Sequence, residues 1–238
     1  MRRQALFDER IKQIDMANKP TEQEIRQQNV AEAVSKTEVF FQKNGKIIYG
    51  CVAAVLLIAL AILAYNRFIL QPAKEKAQAE MFRAEQKFAQ GDYELALRGD
   101  DNNLGFAEII DKYGVKGGKS VYLYAGGCAL QLGEFEEAIK YFKKYDGDEK
   151  ILLSRAQAGI GDAYVGLEDY KSALAAYEKA AATADNLFAA EYLLKAGQAA
   201  EELGDKEKAL ACYKKVKDQY PQAVEAMDID KYITRIEF

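Results

Sequence analysis

Leu132-Gly133-Glu134-Phe135-Glu136-Glu137-Ala138-Ile139-Lys140-Tyr141-Phe142 recurs as Leu167-Glu168-Asp169-Tyr170-Lys171-Ser172-Ala173-Leu174-Ala175-Ala176-Tyr177. It recurs again as Leu203-Gly204-Asp205-Lys206-Glu207-Lys208-Ala209-Leu210-Ala211-Cys212-Tyr213. Ala138, Ala173 and Ala209 are spaced by 35 and then 36 residues. A period of about 34 residues with a small residue at fixed phase marks stacked helical hairpins, each burying its apolar face on its neighbours. Such stacks usually hold other proteins, so the pattern points away from catalysis.

The phase extends in both directions. Gly126, Gly161 and Gly197 each precede the repeated alanine by twelve residues, so each hairpin has a small residue on both helices where they cross. Phe142, Tyr177 and Tyr213 follow the alanines by four residues, one helical turn on the same face, and are core residues by phase with no ligand role. An earlier unit is visible in Gly91-Asp92-Tyr93-Glu94-Leu95-Ala96, with Ala96 placed 42 residues before Ala138. The excess falls in Arg98–Gly105, a loop-forming stretch, after which Phe106-Ala107-Glu108-Ile109-Ile110 resumes the helix. The acidic and amide residues of that stretch lack EF-hand spacing and a closing glutamate, which favours a solvated loop over a calcium site.

In 238 residues, half of them apolar, there is enough material for a sizeable core. There is no histidine and no tryptophan, so the commonest general acid–base side chain and the imidazole metal ligands are absent. No enzyme, cofactor or metal role is expected. Cys51, Cys128 and Cys212 show no metal spacing and read as buried apolar residues, with Cys51 inside a hydrophobic run. Residues 1–46 carry nine Lys/Arg against seven Asp/Glu, whereas residues 71–238 carry 23 against 30. That acidic excess argues against nucleic acid.

Ile47–Ala64 reads IIYGCVAAVLLIALAILA, without a charge. At about 1.5 Å per residue it would span roughly 27 Å, close to a bilayer's hydrocarbon core. Lys43, Lys46 and Arg67 bracket it, and Tyr49 and Tyr65 stand near its ends. The competing readings are a buried core helix and a cleaved signal peptide; the 46 residues ahead of the run favour an uncleaved anchor. Lys/Arg counts on the two sides are nearly equal, so charge does not orient the segment. Gly50 and Ala54 form one small-xxx-small pair.

Before the run, Pro20-Thr21-Glu22-Gln23-Glu24 reads as a helix start, with a helix from about Glu22 through Lys43 and a weak point at Gly45. Leu6, Phe7, Ile11 and Ile14 make a short amphipathic stripe, open between a solvated helix, a membrane-surface helix and a partner contact.

The phasing resembles the tetratricopeptide-repeat (TPR) family over about residues 77–221, with Pro221 at the family's terminal proline. Asp146-Gly147-Asp148 and Ala184-Asp185-Asn186 replace the prolines after the second and third hairpins, and Ala223–Ile236 reads as a closing helix. The expected fold is all-α: a helical tail over 1–46, a transmembrane helix over 47–66, a connector over 67–76, and a TPR-type α-solenoid of about four hairpins plus a closing helix over 77–238. The resemblance implies groove-facing residues Met81, Glu85, Phe88, Leu123, Leu130, Arg155, Asp162, Leu194 and Gln198.

Tail, anchor and repeats in this order resemble the YfgM-type ancillary Sec-translocon family. Val34-Ser35-Lys36-Thr37-Glu38 and Gln71-Pro72-Ala73-Lys74-Glu75-Lys76-Ala77 are similar to Bacteroidota members of it. The resemblance implies a single-pass inner-membrane protein with a cytoplasmic N-terminus and a periplasmic TPR domain. It would be a chaperone accessory whose partners are translocon subunits, a membrane-anchored chaperone and exported clients. A structural assembly factor holding one permanent partner is the alternative.

Overall fold

Between Glu22 and Tyr65 no proline interrupts a sequence in which Ala is the commonest residue, and the chain forms one helix there, α1 (Glu22–Tyr65, 44 residues). The computed structural model describes residues 22–184 and 186–237. These fall into two units, Met1–Asn66 and Arg67–Phe238. The stripe at Leu6, Phe7, Ile11 and Ile14 and the capping pair Pro20-Thr21 lie outside the described residues. Gly45 stands inside α1 without a break. The apolar run is unburied along its length, with Leu57 66% and Leu63 63% exposed. A core helix would need protein around it, and nothing among the described residues supplies that. By length and composition the chain has a helix able to cross a membrane.

The second unit begins with a π-helical turn, Asn66–Leu70 beyond its first residue, and four helical hairpins follow. The first pairs α2 (Gln71–Ala89) with α3 (Tyr93–Arg98), which α4 (Phe106–Tyr113) resumes. The second pairs α5 (Val121–Gln131) with α6 (Phe135–Lys144). The third pairs α7 (Lys150–Gly166) with α8 (Tyr170–Ala184). The fourth pairs α9 (Phe188–Glu202) with α10 (Lys206–Gln219). The 67–76 segment is helical, and α2 starts at Gln71 with Pro72 in its first turn, where a missing N–H costs nothing.

The repeated residues explain the stacking. A Cβ placed on Gly126, Gly161 or Gly197 would come within 2.8, 2.5 or 2.2 Å of the rings of Phe142, Tyr177 and Tyr213 respectively. Each glycine thus lets the ring of its own hairpin's second helix lie on backbone. Ala138, Ala173 and Ala209 are fully buried beside these contacts. In the first hairpin Ala84 takes the glycine's place, twelve residues before buried Ala96. With the loop excised, Phe106 is the matching aromatic, 36 residues before Phe142 and wholly buried.

The inserted loop is ordered by its own side chains. The Asp100 carboxylate accepts backbone N–H bonds from Asn102 and Asn103, both at 2.8 Å, and the Glu108 carboxylate accepts from the Gly105 N–H. Gly99 and Leu104 form an isolated antiparallel bridge.

Each hairpin turn needs one residue in the left-handed region: Gly91, Gly133 and Gly204 supply it at φ of +83°, +76° and +73°. In the third hairpin Glu168 holds the same place at φ +58°.

The expected closing helix is broken. A 3-10 turn (Val224–Met227) precedes α11 (Ile229–Glu237). Ile229 and Ile233, one turn apart, are buried on the last hairpin, while Val224 and Met227 are exposed. The break at Asp228 lets α11 lay its apolar face down, and Lys217 holds Asp230 at 2.7 Å.

Candidate protein-binding groove

At each junction between hairpins, the aromatic of one second helix meets the first helix of the next, and the partner differs every time. Phe106 stacks on Tyr124, with centroids 5.2 Å apart and ring planes at 11°. Phe142 meets Gly159, where an added Cβ would come within 2.5 Å of the ring. Tyr177 lies under the Lys195 ammonium, 5.9 Å from the ring centroid. Tyr213 packs on Tyr232 of α11 at 5.2 Å. Tyr124, Gly159 and Lys195 hold one phase of the repeat, 35 and 36 residues apart.

The last two junctions carry a phenol–carboxylate–cation set. At the third, the Tyr177 hydroxyl donates to Asp162 at 2.7 Å, and Lys195 donates to the same carboxylate at 2.9 Å. Lys195 also pairs with Glu191 at 3.3 Å. Burial, then the charge of Asp162, push the Tyr177 hydroxyl well above the usual phenol range. For Lys195, burial works against the charged form, but Asp162 and Glu191 outweigh it and hold the ammonium above its usual value. At the fourth, the Tyr213 hydroxyl and Arg235 both donate to Glu201. These sets line the groove side of their junctions with hydrogen-bonded polar groups.

The second junction lacks the set. Gly127 stands where Asp162 stands one repeat later, Phe142 where Tyr177 stands, and Gly159 where Lys195 stands. An open cavity of about 450 Å³ lies there. Gly127, Gly159 and Phe142 line it together with Phe88, Leu123, Tyr124 and Leu130, and Arg155, Asp162, Glu191, Tyr192 and Lys195 stand on its polar side. Phe88 is held edge-on by Tyr93 and Tyr124, at 5.5 and 5.3 Å. Arg155 is exposed, and among the described residues no carboxylate lies within ion-pair distance of it.

Of the nine groove residues expected from the sequence, the structure brings Phe88, Leu123, Leu130, Arg155 and Asp162 into this cavity. Gln198 lies apart, in a second recess of about 520 Å³ toward α11. Leu194 is half-buried against the C-terminal core, and Glu85 is half-buried beside Tyr124 without lining the cavity. Met81 is a correction: it is 3% exposed and sits in the core, its side chain against Gly117. The next turn folds over that position and closes it. Gly127, Gly159, Tyr192 and Lys195 were missed, and Phe142, expected as core alone, also floors the cavity. The available signal was the break in repeat identity at Gly127 and Gly159.

Among the described residues no three His, Cys, Asp or Glu side chains stand where they could hold a metal ion. Burial pushes the Cys128 thiol up to about 12, so it is a poor nucleophile at neutral pH.

Comparison with known proteins agrees with this architecture. Two tetratricopeptide-repeat family models match, one over residues 159–224 and the other over 120–146. No curated protein matches the chain. Two crystal structures of MamA resemble it, each at 18% identity, with TM-scores of 0.51 and 0.50. They cover 68% and 65% of this chain and 90% and 92% of their own length. At that identity the likeness shows the fold. The second unit is a TPR solenoid, a scaffold of the kind that binds proteins or peptides.

Proposed function

We propose that this chain is a non-enzymatic, single-pass membrane scaffold whose TPR groove binds protein segments beside the membrane. Its specific form is a translocon-associated chaperone accessory in protein export, with the N-terminus cytoplasmic and the repeats in the periplasm of a bacterial inner membrane. The observation that carries the binding role is the open cavity at the second junction, where Gly127, Gly159 and Phe142 meet the apolar side chains of Phe88, Leu123 and Leu130. The unburied apolar run supports an anchor, because that surface is favourable only in an apolar solvent. The stretches at Val34–Glu38 and Gln71–Ala77 that resemble the YfgM-type family support the export setting. An anchor also raises local concentration, so weak affinity for emerging chains suffices.

Photo-crosslinking in cells from Leu123 and Leu130 tests the reading. A spread of exported chains together with translocon subunits is expected. One stoichiometric partner outside the translocon would replace it with a structural assembly role. Cysteine labelling that places Leu187 or Val224 in the cytoplasm would overturn the topology.

A further inference from the structure

The deepest difference between the junctions is chemical, and it selects a ligand. Resting on the groove reading above, we propose that the second junction is the specificity pocket. It takes one large apolar side chain, aromatic by preference, from a protein segment that carries a carboxylate beside it.

Three observations carry this. First, the pocket's floor lacks the repeat's polar set: Gly127, Phe142 and Gly159 replace Asp162, Tyr177 and Lys195. An apolar group seated on that floor meets no charged side chain there, while Arg155, Asp162, Glu191 and Lys195 stand on the polar side. Second, the wall is aromatic. Phe88, Tyr124 and Phe142 line it as one aromatic cluster that a fourth ring can extend, and the volume of about 450 Å³ falls within the range of side-chain and small-ligand pockets. Third, the charges at the rim are unequally engaged. Lys195 is held by both Asp162 and Glu191, whereas Arg155 reaches over the same cavity with no carboxylate of its own. A guanidinium in that position pairs best with a carboxylate supplied by the bound segment, since its planar fork fits two carboxylate oxygens at once. A basic neighbour on the segment would meet Arg155 with like charge.

The test uses the full chain in detergent micelles and three fluorescein-labelled peptides: Gly-Ser-Phe-Glu-Ser-Gly, the same with Ala for Phe, and the same with Lys for Glu. Fluorescence anisotropy should show the Phe–Glu peptide binding at least tenfold more tightly than either of the others. Gly127→Leu, whose added side chain enters the cavity past Phe88, should lower that affinity at least tenfold. Arg155→Glu, a change at an exposed side chain with the fold checked by circular dichroism, should reverse the preference between the Glu and Lys peptides. Equal binding of all three peptides, or an Arg155→Glu variant with unchanged preference, would overturn the proposal. So would a crosslink from Leu123 to a second copy of this chain. If no peptide binds while Leu123 still crosslinks to exported chains, the pocket proposal fails and the scaffold reading stands. If neither occurs, the groove reading itself fails.

Discussion

Gly126 and Gly127 are neighbours in the middle of α5, and alanine should stabilise at Gly127 but not at Gly126. Both substitutions gain helix propensity, about 1 kcal/mol each in a helix interior. They differ in what the new methyl meets. On Gly126 it would lie 2.8 Å from two atoms of the Phe142 ring, which is itself pinned against Gly159. Overpacking of this kind costs about 1–3 kcal/mol. Gly126→Ala should therefore range from neutral to about 2 kcal/mol destabilised once the propensity gain is subtracted. On Gly127 the methyl would lie 3.4 Å from the Phe88 ring, an ordinary contact, at the edge of the cavity. Gly127→Ala should be about 1 kcal/mol more stable than the natural chain. The difference between the variants isolates the packing cost, because position in the helix and propensity change are shared. The assay is urea denaturation of the full chain in a fixed detergent, followed by circular dichroism at the helix band. In thermal melts each kcal/mol corresponds to roughly 2–4 °C for a chain of this size. Equal stabilisation by both would refute the reasoning, since Phe142 would then have room to retreat and the close approach at Gly126 would not define the hairpin.

Other positions make sharper single tests. Glu168 holds a left-handed conformation that its three counterparts give to glycine, so Glu168→Gly should stabilise by about 0.5–1 kcal/mol, read from the denaturation midpoint. The Asp205 carboxylate caps α10 by accepting from the Lys208 N–H at 3.0 Å, and Asp205→Ala should cost about 1 kcal/mol in the same assay. Tyr177→Phe should cost about 1–3 kcal/mol at pH 7, because Asp162 loses a buried donor. Its pH dependence has a defined sign. The folded phenol ionises above its unfolded value, so its contribution is complete below about pH 10 and declines above it by about 1.4 kcal/mol per pH unit. Denaturation at pH 9 and 11 should show the natural chain losing more than Tyr177→Phe; equal losses would mean that the hydroxyl is not held neutral.

What the sequence made legible was everything that repeats. Ala138, Ala173 and Ala209 located three hairpins, and subtracting the insertion located the fourth at Ala96. The break at Arg98–Gly105 and the restart at Phe106 were readable because glycine, aspartate and asparagine cluster there. Groove residues were half legible. A first-helix phase puts Leu123 and Arg155 on the right face, but it cannot see the turn after α4 folding over Met81. The break at Asp228 was hidden for a similar reason: it is set by where α10 offers apolar surface to Ile229 and Ile233, which local propensity does not encode. The cavity escaped because it arises where the period fails. Gly127 and Gly159 look like ordinary helix glycines until their counterparts, Asp162 and Lys195, are seen reaching into the groove.

Gly159 links the tight and open sides of the second junction, and that link can be tested. With no side chain, α7 approaches the Phe142 ring so closely that an added Cβ would come within 2.5 Å of it. The same absence leaves the groove side without the long chain that Lys195 extends one repeat later. An alanine at 159 must displace the ring. The ring already lies against Gly126 as well, and the cavity it lines is free volume into which it can move. Gly159→Ala should therefore lose stability, up to about 2 kcal/mol after the propensity gain, and shrink the pocket at once. Gly127→Ala is the control, gaining stability without moving the ring. Anisotropy with the Phe–Glu peptide should report a weaker complex for Gly159→Ala at temperatures where urea titration shows the chain still folded. If Gly159→Ala kept both its stability and its affinity for the peptide, Phe142 could not be the shared wall of core and groove. The pocket would then owe its shape to the first helices α2, α5, α7 and α9.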